Sequence, residues 1–96
     1  MYRIKNQQRQ AAKKLGVTIR PSTLTNKKID VYKDGFKVAS IGDIRYNDYW
    51  IYKSLERKGY YEKGFADERR ELYRLRHREE CKAKGTPGYY ACNILW

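Results

Sequence analysis

Two arginines in the second half of the chain have a spacing that suits anion chemistry. Residues 65–84 (FADERRELYRLRHREECKAK) predict a long helix, with acidic residues near its start, lysines near its end and a glycine after it. Arg69 and Arg76 lie one heptad apart and therefore fall together on the apolar side of this helix. They either form structural ion pairs, with Asp43 or Asp48 as partner, or grip a phosphate or carboxylate through their guanidinium groups.

Histidine and cysteine provide the other reactive side chains of this region. His77 and Cys81 are one helical turn apart and Cys92 follows, which is a partial zinc ligand set without a Cys-x-x-Cys pair or a fourth ligand at a suitable spacing. No serine or aspartate pattern completes a triad around His77, and no glycine-rich loop could hold a phosphate. We therefore expect no metal, no cofactor, no small-molecule substrate and no enzymatic activity. Two cysteines are too few for a disulfide framework, so we expect reduced thiols.

Positive charge is concentrated at the start of the chain. The protein has 22 Lys and Arg against 11 Asp and Glu, a net charge of +11 on 96 residues. Residues 1–28, here called the basic segment, contain no acidic residue. Its basic residues are Arg3, Lys5, Arg9, Lys13, Lys14, Arg20, Lys27 and Lys28. Such a segment suits a nucleic-acid backbone, an anionic membrane surface, an acidic protein surface or plain solubility.

Apolar residues within the basic segment bear on the choice among these partners. They are Ile4, Leu15, Val17, Ile19 and Leu24. A tail that only binds phosphates has no need of them, so their presence favours a path between protein subunits. Contact with a protein surface is thus the first expectation, and contact with nucleic acid is the second.

The elements that must position these residues follow from local patterns. Residues 2–15 predict a helix that forms only against a partner or the domain, and residues 17–28 predict an extended linker. Two alternating runs around Asp34-Gly35 predict a β-hairpin over 29–41 with a type I′ turn. Residues 47–58 predict a short helix that begins after Asn47 or Asp48. A type II turn at 86–88 then leads to an apolar strand or packed tail over 89–96.

These elements predict a small α+β domain over residues 29–96, with residues 1–28 as a flexible basic arm. The domain would contain a β-hairpin, one long and one short helix, and an aromatic segment that closes the core. The length excludes a two-domain enzyme with a deep cleft, and no apolar run approaches the ~20 residues that span a membrane. We also expect no secretory signal, because residues 1–19 lack an apolar core region.

Four short sequence motifs follow one another along the chain in a fixed order, as motifs do in a protein family. They are Gly42 with Tyr46-Asn47-Asp48-Tyr49, the helical run 67–77 (DERRELYRLRH), Gly85-Thr86-Pro87-Gly88-Tyr89-Tyr90-Ala91, and Leu95-Trp96. This pattern resembles a family of small basic, uncharacterised proteins of large nucleocytoplasmic double-stranded DNA viruses. The resemblance implies a virion-associated protein, present in the host cytoplasm or nucleus during infection, and it carries over no catalytic residue.

The resemblance also implies a role in the fold for its motif residues. These are Asp48, Arg69, Tyr73, Arg76, His77, Tyr89, Tyr90 and Trp96. The helix and the aromatic segment would pack together, with Trp96 buried and with Arg76 or His77 bonded to loop carbonyl groups. The expected function is that of a minor capsid component that bridges larger subunits through its basic arm and a Tyr-rich surface. The alternative is a DNA-binding or DNA-condensing protein of the viral nucleoid.

Overall fold

A three-stranded antiparallel sheet forms one side of the domain in a computed structural model that describes all 96 residues. Its strands are β1 (Thr18–Pro21), β2 (Lys27–Lys33) and β3 (Phe36–Asp43), in the order β1-β2-β3. The predicted hairpin is confirmed as β2 and β3. Asp34 and Gly35 have φ angles of 53° and 83°, and a type I′ turn requires positive φ at both positions.

Five short helices and one π-helical segment make up the rest of the fold. The helices are α1 (Asn6–Lys14), α2 (Tyr49–Arg57), α3 (Phe65–Arg76), α4 (Arg78–Lys82) and α5 (Pro87–Tyr90), and the π-helical segment is Ala91–Leu95. The predicted α+β class is confirmed. The predicted single long helix is wrong, because His77 leaves helical geometry (φ −108°, ψ 27°) and separates α3 from α4.

The end of the chain is helical, so the predicted type II turn and strand are also wrong. The Thr86 hydroxyl oxygen accepts a hydrogen bond from the Tyr89 amide at 3.2 Å and caps α5, in which Pro87 takes the first position. Because Pro fits the first turn of a helix as well as the second position of a turn, the local sequence did not separate the two outcomes. The expectation of a packed tail holds for Ile94 and Leu95, which are buried.

The basic segment is part of the core, and its prediction as a flexible arm is wrong. β1 pairs with β2 from Thr18 opposite Tyr32 to Pro21 opposite Ile29. Ala12 of α1 joins the same core cluster as two buried residues at and beside β1, Val17 and Ile19. Four of the five apolar residues of this segment therefore pack into or against the core, whereas Leu24 is exposed. No domain boundary lies at residue 28.

The core lies between the sheet, α1 and the π-helical segment. Its buried members are Ala12, Val17, Ile19, Ile29, Val31, Ala39, Ile41, Tyr90, Ile94 and Leu95. Gly42 closes one edge of this core with φ +78°, and a Cβ at this position would lie 2.8 Å from Leu95 Cδ1 and 2.9 Å from Lys28 Cδ. Only glycine permits this approach between β3, β2 and the π-helical segment.

A buried polar network attaches the basic segment to the rest of the domain. Lys28 and Asp48, both almost completely buried, form an ion pair at 3.0 Å. The Tyr2 hydroxyl donates to the same Asp48 oxygen at 2.6 Å and accepts from Gln8 Nε2 at 2.9 Å. The Lys28 ammonium also donates to the carbonyl oxygen of Tyr46. Buried charges are stable only when paired and hydrogen-bonded, as they are here.

Helices α2 and α3 pack as a pair on the other side of the domain. The N-cap residue of α3 is Gly64, which has no side chain to cap the helix. The Glu56 carboxylate of α2 caps it instead, because it accepts hydrogen bonds from the Gly64 and Ala66 amides at 3.0 Å each. The backbone bond from Ala66 holds the pKa of Glu56 below its usual value, with Lys53 contributing. The Tyr49 hydroxyl of α2 donates to the Asp67 carboxylate of α3 at 2.8 Å, which is a second hydrogen-bonded contact between the two helices.

The two cysteines form a disulfide, so the prediction of free thiols is wrong. Cys81 in α4 and Cys92 in the π-helical segment have Cα atoms 5.3 Å apart. The packing of α4 against the π-helical segment creates this proximity, which a separation of 11 residues in sequence does not indicate. No helix of the domain has the length and apolar character that crossing a membrane requires.

Candidate functional site

The largest cavity of the domain has a volume of about 570 Å³ and opens between the end of β3, α3 and the π-helical segment. It is here called the arginine cavity. Its lining residues are Lys28, Gly42, Asp43, Tyr46, Asn47, Asp48, Tyr52, Arg69, Tyr73, Arg76, His77, Ala91, Leu95 and Trp96. Six of the eight predicted motif residues are among them: Asp48, Arg69, Tyr73, Arg76, His77 and Trp96.

Asp48 is placed in the arginine cavity by two local features. It precedes α2 in extended conformation, and its Oδ1 accepts from the Ile51 amide at 3.0 Å, so it is the N-cap of that helix. Its other oxygen, Oδ2, is held by Lys28 and Tyr2. Both oxygen atoms of the Asp48 carboxylate therefore already have hydrogen-bond partners, and the Lys28 ammonium balances its negative charge.

The predicted ion pairs of Arg69 and Arg76 with Asp43 or Asp48 are wrong. Asp48 is paired with Lys28, and Asp43 is paired with Arg45 at 2.7 Å. The hydrogen bonds from Arg45 lower the pKa of Asp43 to about 2. Both carboxylates near the cavity are therefore neutralised by other cations.

Arg69 and Arg76 themselves form no ion pair and donate no hydrogen bond within the protein. The Nε atom of Arg69 is buried without an acceptor, and its guanidinium carbon lies 5.7 Å from the centre of the Tyr52 ring. Both positive charges face the cavity without compensation, which is the arrangement that attracts an anion.

Neighbouring arginines of α3 have structural roles instead. The guanidinium of Arg70 lies 3.5 Å from the centre of the Tyr49 ring, a cation–π contact within the α2–α3 pair. Arg74 Nη2 donates to the backbone oxygen of Trp96 at 2.8 Å. The expected bonds from Arg76 or His77 to loop carbonyls are wrong, since Arg74 makes the contact with the aromatic segment and His77 is bonded to the Glu80 side chain at 2.9 Å.

Aromatic rings form one wall of the arginine cavity. Trp96 stacks on Tyr73 with ring centres 4.4 Å apart and an angle of 8°, and Tyr73 in turn lies 4.3 Å from the His77 ring. Tyr52 approaches Trp96 from α2 at 6.2 Å. Burial, and then the charge of Glu80, raise the pKa of Tyr73, so its ring is neutral at physiological pH. Trp96 is half-buried rather than buried, because one side of its ring system remains part of this wall.

Two predicted motif residues do not reach the cavity. Tyr90 is a core residue and Tyr89 packs against the core beside it. The sequence interpretation missed Tyr52, although it follows Asp48 by four residues and so shares a face of α2 with it. Tyr2 was missed as well, because nothing local indicates that it reaches Asp48.

The basic side chains of residues 1–28 form a second feature on the surface of α1 and β1. Arg3, Arg9, Lys13, Lys14, Arg20 and Lys27 are exposed, Lys5 is half-buried and Lys28 is buried. None of the first seven forms an ion pair. A shallow groove of about 330 Å³ runs between α1 and β1, here called the basic groove, and Arg9, Lys13 and Thr18 are among its lining residues.

A hydrogen bond from Arg9 to the Ile19 carbonyl at 3.2 Å ties α1 to β1 at the basic groove. On β1 the guanidinium of Arg20 lies 5.1 Å from the centre of the Tyr32 ring. The cations of this region are therefore displayed by folded elements at fixed separations, which lowers the conformational entropy lost when a partner binds.

Neither feature has the donor set of a metal site. No group of three or more His, Cys, Asp and Glu side chains comes together, and the sulfur atoms of Cys81 and Cys92 are bonded to each other. Comparison with protein-family models, with curated proteins and with solved structures gives no match to this chain.

Proposed function

We propose that this chain is a non-enzymatic, nucleic-acid-binding protein of a virus particle, and that α1 and β1 provide its general contact with the phosphate backbone. The observation that carries the proposal is the set of seven unpaired basic side chains on residues 1–28, a segment without one acidic residue. Cations of this kind release counterions from a nucleic acid, and that release drives binding without sequence preference. The assignment to a virus particle rests on the resemblance of the motif runs.

The burial of apolar residues in the basic segment supports this order of the two candidates. The sequence favours a path between protein subunits because Val17, Ile19 and three other apolar side chains would need a partner if the basic segment were a flexible arm. Val17 and Ile19 lie in the core, while Ile4 and Leu15 pack against it. Leu24 remains exposed, and every charged side chain on the surface of this segment is positive.

A salt titration on duplex DNA tests the proposal. The variant Lys13→Gln/Lys14→Gln/Arg20→Gln, here called the groove variant, removes three exposed cations from α1 and β1, of which Lys13 lines the basic groove. The matched control, Lys58→Gln/Lys63→Gln/Lys84→Gln, removes three exposed cations elsewhere. Each phosphate contact adds about 0.9 to the slope of log affinity against log salt.

We expect the groove variant to lose about 2–3 from that slope and the control to retain the slope of the unmodified protein. Equal losses in the two variants would mean that net charge alone attracts the DNA, and the proposed surface would be wrong. Retention of the full slope by the groove variant would also contradict the proposal.

A role as a minor capsid component is the second candidate. It is favoured by large apolar or aromatic side chains that are more than 60% exposed, which beside Met1 are Phe36, Tyr46, Tyr60 and Leu75. Exposed apolar groups of this size are common at protein–protein interfaces. Recovery of the protein in purified shells that lack the genome would favour this candidate, whereas recovery with the genome favours nucleic-acid binding.

A further inference from the structure

We propose that the arginine cavity holds one nucleotide of a single-stranded nucleic acid, with its phosphate on Arg69 and Arg76 and its base against the aromatic wall. This inference rests on the proposed function and deepens it. It assigns preference for a single strand to the arginine cavity, while the basic groove provides attraction to any nucleic acid.

The unused hydrogen-bonding capacity of the two arginines is the first argument. Arg74 of the same helix donates to Trp96. Arg70, whose Nε atom is also buried without an acceptor, is covered by the Tyr49 ring and does not line the cavity. Arg69 and Arg76 have no acceptor, although the Nε atom of Arg69 is buried. A buried donor without an acceptor is costly, and a phosphate oxygen supplies the missing acceptor with a charge-assisted bond.

The charge balance of the cavity is the second argument. Its two side-chain carboxylates are each held by another cation, Asp48 by Lys28 and Asp43 by Arg45, and the backbone oxygen of Trp96 is held by Arg74. The charges that remain uncompensated at the cavity are therefore those of Arg69 and Arg76. A phosphodiester matches this excess, and arginine binds it through two parallel N–H donors.

The aromatic wall is the third argument, and it distinguishes a nucleotide from a simple anion. Trp96, Tyr73 and His77 form a continuous stack, with Tyr52 beside it. Proteins that bind single strands combine cations for the backbone with such rings for the bases. The exposed side chain of Asn47 adds an amide at the rim that can bond to a base edge.

Size and position favour an unpaired base. A volume of about 570 Å³ lies within the roughly 300–1,000 Å³ range of ligand pockets and admits one nucleotide. A base inside a duplex is stacked on both faces and cannot reach the wall. The Tyr2–Asp48 hydrogen bond places the basic segment beside the cavity, so one strand can contact Arg3 and enter the cavity.

The test compares a fluorescein-labelled single-stranded 12-mer of thymidine nucleotides, its duplex, thymidine monophosphate and inorganic phosphate. Binding is measured at about 200 mM salt, where backbone attraction is weak. The variants are Arg69→Gln/Arg76→Gln and Arg76→Gln alone. Because Arg76 is exposed and forms no ion pair or hydrogen bond in the protein, we expect its single substitution to leave the fold intact. The control Arg57→Gln/Arg78→Gln removes two exposed arginines that do not line the cavity.

We expect the unmodified protein to bind the single strand at least tenfold more tightly than the duplex. In both cavity variants the ratio of single-strand to duplex affinity should fall to half or less, while the duplex affinity and its salt slope stay unchanged. In the control variant the ratio, the duplex affinity and the salt slope should all stay unchanged. Equal affinity for single strand and duplex would overturn the inference. The inference would also be overturned if inorganic phosphate displaced the labelled strand as effectively as thymidine monophosphate does. It would equally be overturned if thymidine monophosphate bound as tightly as the single strand.

Failure of this inference and failure of the proposed function give different results. If the protein binds duplex with the expected salt slope but shows no single-strand preference, only the role of the arginine cavity is wrong. If the groove variant also leaves duplex binding unchanged, the proposed function itself is wrong.

Discussion

Replacement of Asp48 by asparagine should destabilise the domain severely. Asp48→Asn keeps an oxygen for the Ile51 amide, so the N-cap of α2 survives. The substitution removes the negative charge opposite Lys28, whose side chain is only 3% exposed. Removal of one partner from a buried ion pair costs about 3–5 kcal/mol, because the other charge is left uncompensated. For a domain of this size the melting temperature falls by roughly 4–8 °C per kcal/mol.

Urea denaturation of a double-mutant cycle measures this effect. Lys28→Met alone should also be destabilising, since it leaves the Asp48 carboxylate buried without its cation. The double variant Lys28→Met/Asp48→Asn should lose at least about 2 kcal/mol less than the sum of the single variants. Asp43→Asn is the matched control, because it breaks the exposed pair with Arg45 and should leave the melting temperature almost unchanged. Single losses below about 1 kcal/mol, or an additive cycle, would refute the reasoning.

Four further perturbations test other parts of the fold. Deletion of residues 1–21 removes α1 and β1 from the core and should abolish cooperative unfolding and the near-UV circular dichroism spectrum. Removal of residues 95–96 should cost about 3 kcal/mol or more, and an unchanged melting temperature would contradict it. The pKa of Glu56 is lowered by folding, so the stability it contributes is present above its unfolded pKa and is lost as the pH falls through the folded value. Glu56→Gln should therefore lower the melting temperature at pH 7 and flatten its decline on acidification, whereas parallel pH curves would argue against the cap. Cys81→Ser/Cys92→Ser should lower the free energy of unfolding by about 2–4 kcal/mol. For the unmodified protein, a mass two hydrogens above that of the disulfide form would show free thiols and contradict this prediction.

The sequence was most informative where short-range geometry decides the structure. Asp34-Gly35 between two alternating runs predicts the hairpin, since few other structures accept two consecutive positive φ angles. The N-cap role of Asp48 was also predictable, because a capping side chain acts within three residues. The break at His77 was not predictable, since α3 and α4 together present one uninterrupted run of helix formers.

Long-range pairing accounts for most of the remaining errors. Val17 and Ile19 alternate as in a strand, but the run is short and the Pro21 and Ser/Thr cluster that follows is typical of a linker. Only the pairing of Ile19 with Val31 of β2 makes this segment a strand. Local patterns contain no information on such a partner.

At the candidate site, too, the local geometry was predictable and the long-range partners were not. The heptad spacing placed Arg69 and Arg76 correctly on one side of the helix, and both line the arginine cavity. Their expected carboxylate partners were wrong because Lys28 takes Asp48. Lys28 belongs to the segment that the sequence predicts as a separate arm, so the wrong prediction about the fold led to the wrong prediction about the site.

The packing of α1 against the π-helical segment has a consequence for how this protein is made. These two elements are among the first and last parts of this sequence to be synthesised, and they share one core. A nascent chain that already contains the whole sheet still lacks Ile94 and Leu95, which cover it. Contacts this distant in sequence slow folding, and chains are extended at only about 5–20 residues per second. During translation the apolar side of the sheet and the basic side chains of α1 are therefore exposed together, and a polyanion or chaperone can reach them before the core closes.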